Sequence, residues 1–245
     1  MSVRLTAWTA LRVLNQLRHD RRTIALILVV PSVLLALLCY VFNGRPDIFD
    51  QVGLLLLGVF PFTSMFLITS VAMLRERASG TLERLLSMPL HKLDLILGYG
   101  IAFAAVAVVQ AIVAATVAYE LLGLQTQGHV AIVLLIVVST AVLGSSAGLF
   151  TSAFARTEFQ ALQFAPSVII PQLLLCGLIW PREEMAAPLR AVSNVVPLRY
   201  AAEALDQVGT YPEPTTVLWR DLVVVLAFGV VLLAAGAVTL RRRSS

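Results

Sequence analysis

The sequence predicts an all-α polytopic membrane protein: six transmembrane helices, an N-terminal interfacial amphipathic helix, a short cytoplasmic helix and an outer re-entrant segment. Three observations carry that prediction. Hydrophobic residues make up 59% of the 245 and charged residues only 13%, about half the charge fraction of an ordinary soluble domain. Six apolar runs, near 23–42, 52–74, 95–119, 130–154, 160–180 and 217–240, are long enough to cross a hydrocarbon core of about 30 Å. Apart from Arg220 and Asp221 at the opening of the last, they contain no Asp, Glu, Lys or Arg. The alternation of a membrane barrel is absent. In lipid, backbone groups must pair within their own segment, so the runs are helices.

Residues 1–22 form the first unit, ahead of a single six-span domain over 23–245. Leu5, Trp8, Leu11, Leu14 and Leu17 recur at helical spacing, with Arg4, Arg12, Asn15 and Arg18 among them. That pattern predicts a helix lying in the inner interface, its leucine face in the acyl chains and its arginines near anionic headgroups of the membrane lipids. The alternative is a cytosolic extension of the first span. The flank Arg18-His19-Asp20-Arg21-Arg22 resembles the start of a cleaved targeting signal. The run that follows is of span length, however, and no small-x-small cleavage site follows it. It reads as a permanent span.

Lys and Arg set the orientation. With the N-terminus inside, segments 1–22, 75–94, 155–159 and 241–245 hold 13 of the 18 basic residues and five of the 14 acids, a balance of +8. The outside segments hold five bases and nine acids, a balance of −4, and the two sum to the net +4. Both termini are expected in the cytoplasm of a bacterial cell. The basic residues, 17 Arg and Lys92, sit in short clusters between apolar runs, which holds topology and argues against a nucleic acid partner. Cys39 and Cys176 lie inside apolar runs and read as small buried hydrophobes, with no disulfide or metal framework.

Between the second and third spans, residues 75–94 form a cytoplasmic stretch. Gly80 is expected to close the helix that leaves the membrane, and Thr81 to cap a short helix ending at Pro89. Leu82, Leu85 and Leu86 share one face of it. A helix of about eight residues is too short to be stable alone, so that face needs a docking surface, on the protein's own inner rim or on a soluble partner. Beyond the fifth span, residues 181–216 carry Pro181, Pro188, Pro197, Pro212 and Pro214. With Met185, Leu189, Val192, Val196 and Leu198 at helical spacing, this segment is expected to dip into the outer leaflet as short broken helices covered by protein. The outer loops near 43–51 and 120–129 are short.

The chain offers few groups suited to catalysis. A phosphate-cradling loop needs a lysine after glycine, and the only lysine follows His91. The chain therefore carries no ATPase of that kind and no enzyme activity of its own is expected. Gly144-Ser145-Ser146-Ala147-Gly148 fits G-x-S-x-G in the fourth span, as in an intramembrane serine protease. A serine nucleophile needs a base within hydrogen-bond reach, and His19, His91 and His129 all lie in loops or at span edges. The five small residues instead read as a close helix crossing. The spans offer no mid-membrane charge for a proton relay. Gln110, Gln163 and Gln172 either line a path or bond a neighbouring helix. Phe60, Phe62, Phe66 and Phe103 give walls that suit an amphiphilic cargo.

The string Glu76-Arg77-x-x-Gly80-Thr81-Leu82-Glu83 followed by Pro89 resembles the cytoplasmic coupling segment of the membrane permeases of ABC exporters, type-2 permease class, which include bacterial multidrug exporters. A second stretch, Cys176-Gly177-Leu178-Ile179-Trp180-Pro181 through Pro188, Pro197-Leu198-Arg199-Tyr200 and Glu203, resembles that family's outer re-entrant, gating segment. The resemblance implies that Glu76, Arg77, Gly80, Thr81, Leu82, Glu83, Arg84 and Leu86 contact a separate soluble ATPase subunit, two copies per transporter, which binds the ATP. No cofactor is implied for this chain. It also implies pairing with a second permease subunit, identical or homologous, and export of a drug-like or lipid-like amphiphile. Export of a polysaccharide or other envelope precursor is the alternative, and a non-transporting membrane scaffold is the alternative of another kind.

Overall fold

The computed structural model describes residues 3–81, 92–155 and 157–239. Among these residues the chain is helical and contains no strand. The helices are α1 (Val3–His19), α2 (Arg21–Val41), α3 (Pro46–Ala78), α4 (Lys92–Thr116, continued by a π-turn Val117–Leu121), α5 (Val130–Thr151), α6 (Glu158–Leu175), α7 (Ala187–Ser193), α8 (Pro197–Thr210) and α9 (Thr216–Thr239).

By length and composition, five stretches suffice to cross a membrane: Arg21–Val41, Pro46–Ala78, Asp94–Leu121, Val130–Thr151 and Thr216–Thr239. The expected fifth crossing is α6, which falls short of that standard. Glu158, Gln160, Gln163 and Gln172 dilute its apolar content, and Pro166 and Pro171 interrupt it. It nevertheless runs from Arg75 at the end of α3, which bonds Glu158, to the start of α8, where Gln172 accepts from the Leu198 N–H.

Helix α3 is the spine. Its 33 residues span about 50 Å at 1.5 Å per residue, well beyond a bilayer core, so its last turns stand clear of the apolar layer. Its most extensive pairing is with α5. A methyl group at Gly144 would collide with the Phe62 carbonyl, and one at Gly148 with the Phe66 carbonyl. The G-x-S-x-G string is therefore the seam at which two backbones touch. Ser145 and Ser146 donate to the Ala141 and Val142 carbonyls of their own helix, which leaves no hydroxyl set against a base. Phe62, Phe66 and Phe103 are fully buried in the core and are not walls of an open path.

At one end of the bundle, α1 lies over the end of α3 and the beginning of α4. Its fully buried face is Thr6, Thr9, Ala10 and Val13, with Leu14 and Leu17 of the leucine row only partly buried beside it. These small residues fit against Gly98, where a Cβ would stand 2.6 Å from that of Thr9. Trp8 and Leu11 remain exposed on the opposite side, in keeping with an interfacial face. A helix is thus present over Val3–His19, and backbone proximity selects its packed side. Asp20 separates α1 from α2, its carboxylate accepting from the Thr23 N–H at 3.1 Å and capping α2.

The opposite end is closed by the loop 122–129 and by α7 and α8. Asp50 accepts from the Gln125 N–H, while Gln127 and Gly128 donate to the Gly209 and Val208 carbonyls. Leu205 packs onto Gly58 and Leu54 approaches Gly209, so α8 turns back against α3.

Candidate functional site

Among the described residues the α1 end buries two acids, Glu76 and Asp94. Glu76, one turn before the end of α3, is only 5% exposed. Its Oε1 accepts from Arg12 Nη1 at 3.2 Å, and Arg12 Nη2 donates to the Tyr99 hydroxyl at 2.7 Å. Three helices, α1, α3 and α4, are joined by this triad. Beside it, Thr6 donates to Asp94 at 3.4 Å, and Asp94 is fully buried at the start of α4. Arg77 donates to the Ser152 carbonyl just past α5. Arg75 forks onto both carboxylate oxygens of Glu158 at 2.9 and 3.2 Å. Bidentate guanidinium–carboxylate geometry fixes orientation as well as distance, so α6 is registered to α3. Asp20 is exposed, and the two hydrogen bonds from Thr23 hold its carboxyl below the usual aspartate range.

The expected coupling residues begin at this end. Gly80 has φ +70°, the left-handed conformation that favours glycine. Its N–H donates to the Arg77 carbonyl, and Ser79 N–H to that of Arg75, so the expected stop to α3 is present. The Ser79 hydroxyl donates to the Glu76 carbonyl and shares a hydrogen bond with that of Thr81. Leu82, Glu83, Arg84 and Leu86 lie outside the described residues. Of the expected coupling residues, Glu76 and Arg77 face inward onto α1 and α5, whereas Gly80 and Thr81 sit at the point where the chain departs.

At the other end, Gly177 ends the α6 turn with φ +96°. Pro181 precedes a short 3₁₀ turn, Pro188 lies in the first turn of α7, and Pro197 opens α8. Asn194 is the hub of this region. Its side-chain oxygen accepts from Arg182 and from Arg199, the latter at 2.8 Å, and its carbonyl accepts from the Tyr200 hydroxyl at 2.8 Å. Glu203 accepts from Arg199 at 3.1 Å and from Arg220 at 3.4 Å, and Arg220 reaches Asp221. The ion-pair chain ties α8 to α9. Gly177, Pro181, Pro188, Pro197, Tyr200 and Glu203 thus share one end of the bundle, although each proline acts on its own helix start.

Sequence reasoning missed Arg12, Tyr99, Asp94 and Asn194. Arg12 looked like a headgroup arginine and Tyr99 like filler in an apolar run, and nothing local says that they meet across 87 residues of chain. Glutamine placement is mixed. Gln172 bonds α8, Gln163 is exposed, and Gln110 is buried with neither side-chain polar atom partnered. Among the described residues no cluster of His, Cys, Asp or Glu could hold a metal ion.

Residues 5–208 match the protein family described as ABC-2 type transporter. Among curated proteins, the chain is 29% identical over 175 residues to the probable multidrug ABC transporter permease YbhS of Escherichia coli (strain K12), covering 70% of this chain and 44% of that protein. Its similarity to the probable multidrug ABC transporter permease YbhR of the same organism is 24% over 167 residues, or 68% of this chain and 45% of that one. ABC transporter G family member 20 of Dictyostelium discoideum is 29% identical over 147 residues, 60% of this chain and 20% of that protein. The alignments span less than half the length of each of these relatives.

Proposed function

The chain belongs to the ABC-2 type transporter family, and from that membership we propose that it is the membrane permease of an ATP-driven exporter working with a separate soluble ATPase subunit. In this reading α6 completes six crossings, both termini are cytoplasmic, and two such permeases, with two ATPase copies, enclose a path for a drug-like or lipid-like amphiphile. The similarity to probable multidrug ABC transporter permeases supports the cargo class.

One observation carries the mechanical part. The segment 82–91 joins two helix ends, α3 and α4, and both are pinned to α1 by the Arg12–Glu76–Tyr99 triad. Force applied to that segment by a partner would be delivered to three helices together. Arg75–Glu158 would pass it on to α6 and Arg77–Ser152 to the end of α5. Rigid elements with two discrete arrangements are what such coupling requires.

Gly80→Pro tests this. Proline fixes φ near −65° and cannot adopt the +70° of Gly80. The expected result is loss of export and of ATPase capture in mild detergent, with insertion into the membrane unchanged. Charge reversal at Glu83 together with Arg84 should act likewise. Full export by either variant refutes the coupling role.

A further inference from the structure

We propose that Arg182, in the turn between α6 and α7, binds the phosphodiester headgroup of a phospholipid in the leaflet at that end of the bundle. The site requires the chain to lie in a bilayer and is independent of what the protein exports.

Arg182 is an arginine held in place without a counter-charge. Its Nε donates to Ser193 Oγ at 2.9 Å and its Nη2 to the Asn194 side-chain oxygen. Both acceptors are neutral. Arg199 Nη1 donates to the same Asn194 oxygen at 2.8 Å, so two guanidiniums converge on one amide. Arg199 is buried, paired with Glu203 and covered by the Tyr200 ring, whose centre lies 4.6 Å from its guanidinium carbon. Glu203 also pairs with Arg220, and Arg220 with Asp221. This connected set holds three arginines and two acids, and the unmatched charge falls on Arg182. Glu184, in the same 3₁₀ turn, is exposed and bonds neither guanidinium.

A guanidinium has five N–H groups, and the bonds to Ser193 and Asn194 engage one from Nε and one from Nη2. The other three lie at the Nη1–Nη2 end, and Nη1 remains accessible. That end is the fork that fits two oxygens of a phosphate. The two existing bonds fix its direction in advance, which lowers the ordering cost of binding. The surroundings favour a lipid over a soluble phosphate. Ile179 and Trp180 stand just before Arg182 in the chain, and Val192 and Val195 flank its two acceptors. Ile179, Trp180 and Val195 are each more than half exposed. Acyl chains would remove this apolar surface from water, with the tryptophan at headgroup level and the phosphate on Arg182.

The test uses the full chain in dodecyl maltoside, a phosphate-free detergent, with Trp8→Phe and Trp219→Phe leaving Trp180 as the only tryptophan. Phosphatidylglycerol with brominated acyl chains is titrated against Trp180 fluorescence, and diacylglycerol carrying the same chains is the phosphate-free control. Half-quenching is expected at an about tenfold lower concentration of phosphatidylglycerol, the size of one charge-assisted hydrogen bond. Arg182→Gln should bring the two lipids to within about twofold of each other. Arg190→Gln, which removes an exposed cation of α7, should leave the preference unchanged. Val195→Ser should weaken both lipids alike, and glycerol 3-phosphate should displace the lipid only at roughly hundredfold higher concentration, lacking the apolar contact. The comparison of the two lipids on the unsubstituted site stands whether or not Arg182→Gln folds. Equal quenching by the two lipids, an unaltered preference in a folded Arg182→Gln, an equal loss in Arg190→Gln or unaltered binding in Val195→Ser overturns the proposal. Displacement by glycerol 3-phosphate at equal concentration makes this a soluble-phosphate site and overturns the lipid assignment.

Discussion

Removing Arg12 should loosen α1 more than neutralising its partner does, and the difference can be worked from exposure. The Arg12 side chain is 35% exposed and that of Glu76 only 6%. In Arg12→Met a carboxylate is left buried without its guanidinium, a change that costs about 3–5 kcal/mol in a fully buried pair. Two features reduce that figure. Arg12 is partly solvated, so the intact pair is partly screened, and the Tyr99 hydroxyl, which accepts from Arg12, remains beside Glu76 to donate to it. About 2 kcal/mol is then expected. In Glu76→Gln the amide oxygen still accepts, and Arg12 keeps Tyr99 and water, so about 1 kcal/mol is expected, in line with a charged hydrogen bond traded for a neutral one. The double variant Arg12→Met/Glu76→Gln leaves no buried charge, sets the new amide at position 76 beside the Tyr99 hydroxyl and should cost about 1 kcal/mol. The coupling energy is then about 2 kcal/mol. Unfolding in mixed detergent micelles, followed by helical circular dichroism, measures all three. Additive singles, or a Glu76→Gln variant worse than Arg12→Met, would refute the view that this pair holds α1 to the bundle.

Other outcomes follow from single contacts. Gly148→Leu should destabilise the bundle by about 3 kcal/mol or prevent folding, because the added atoms meet the Phe66 carbonyl at an overpacked crossing. Ser146→Ala at the same seam should be within about 1 kcal/mol of wild type, since its hydroxyl bonds only its own helix, and it should abolish no activity. Asp20→Ala should cost about 1 kcal/mol through loss of the α2 cap. Because the folded-state pKa of Asp20 is depressed, its contribution is complete above about pH 4 and fades as pH falls through the folded value. The Asp20→Ala variant should lack that acid-linked loss in a pH series of unfolding curves. Glu203→Gln should weaken the link between α8 and α9 by about 1 kcal/mol, because the acid bridges Arg199 and Arg220 in a partly exposed setting. Faster amide exchange confined to 197–220 would report it, and unchanged exchange there would deny the bridge a structural role.

The apolar runs, the glycine that closes α3 and the small-residue seam were legible because each is local. A span needs only consecutive apolar residues, a left-handed stop needs a glycine, and a close crossing needs residues without bulk. That residues 3–19 form a helix was legible for the same reason. Helical spacing shows that an apolar stripe exists, and it cannot show that Thr6, Thr9, Ala10 and Val13 are the face that Gly98 admits.

By itself, then, the sequence determined that this chain folds into apolar helices, most of them of membrane-spanning length, and roughly where they lie. Composition and backbone hydrogen bonding decide those matters within a single segment. Only the tertiary structure decided which charges meet. Arg12, Glu76 and Tyr99 come from three helices, and Arg182, Asn194 and Arg199 from three different turns. A side chain's chemistry is readable from its name, but its partner is set by where packing brings distant backbone, and in a low-dielectric interior that partner decides whether a charge is a lock, a ligand site or a cost.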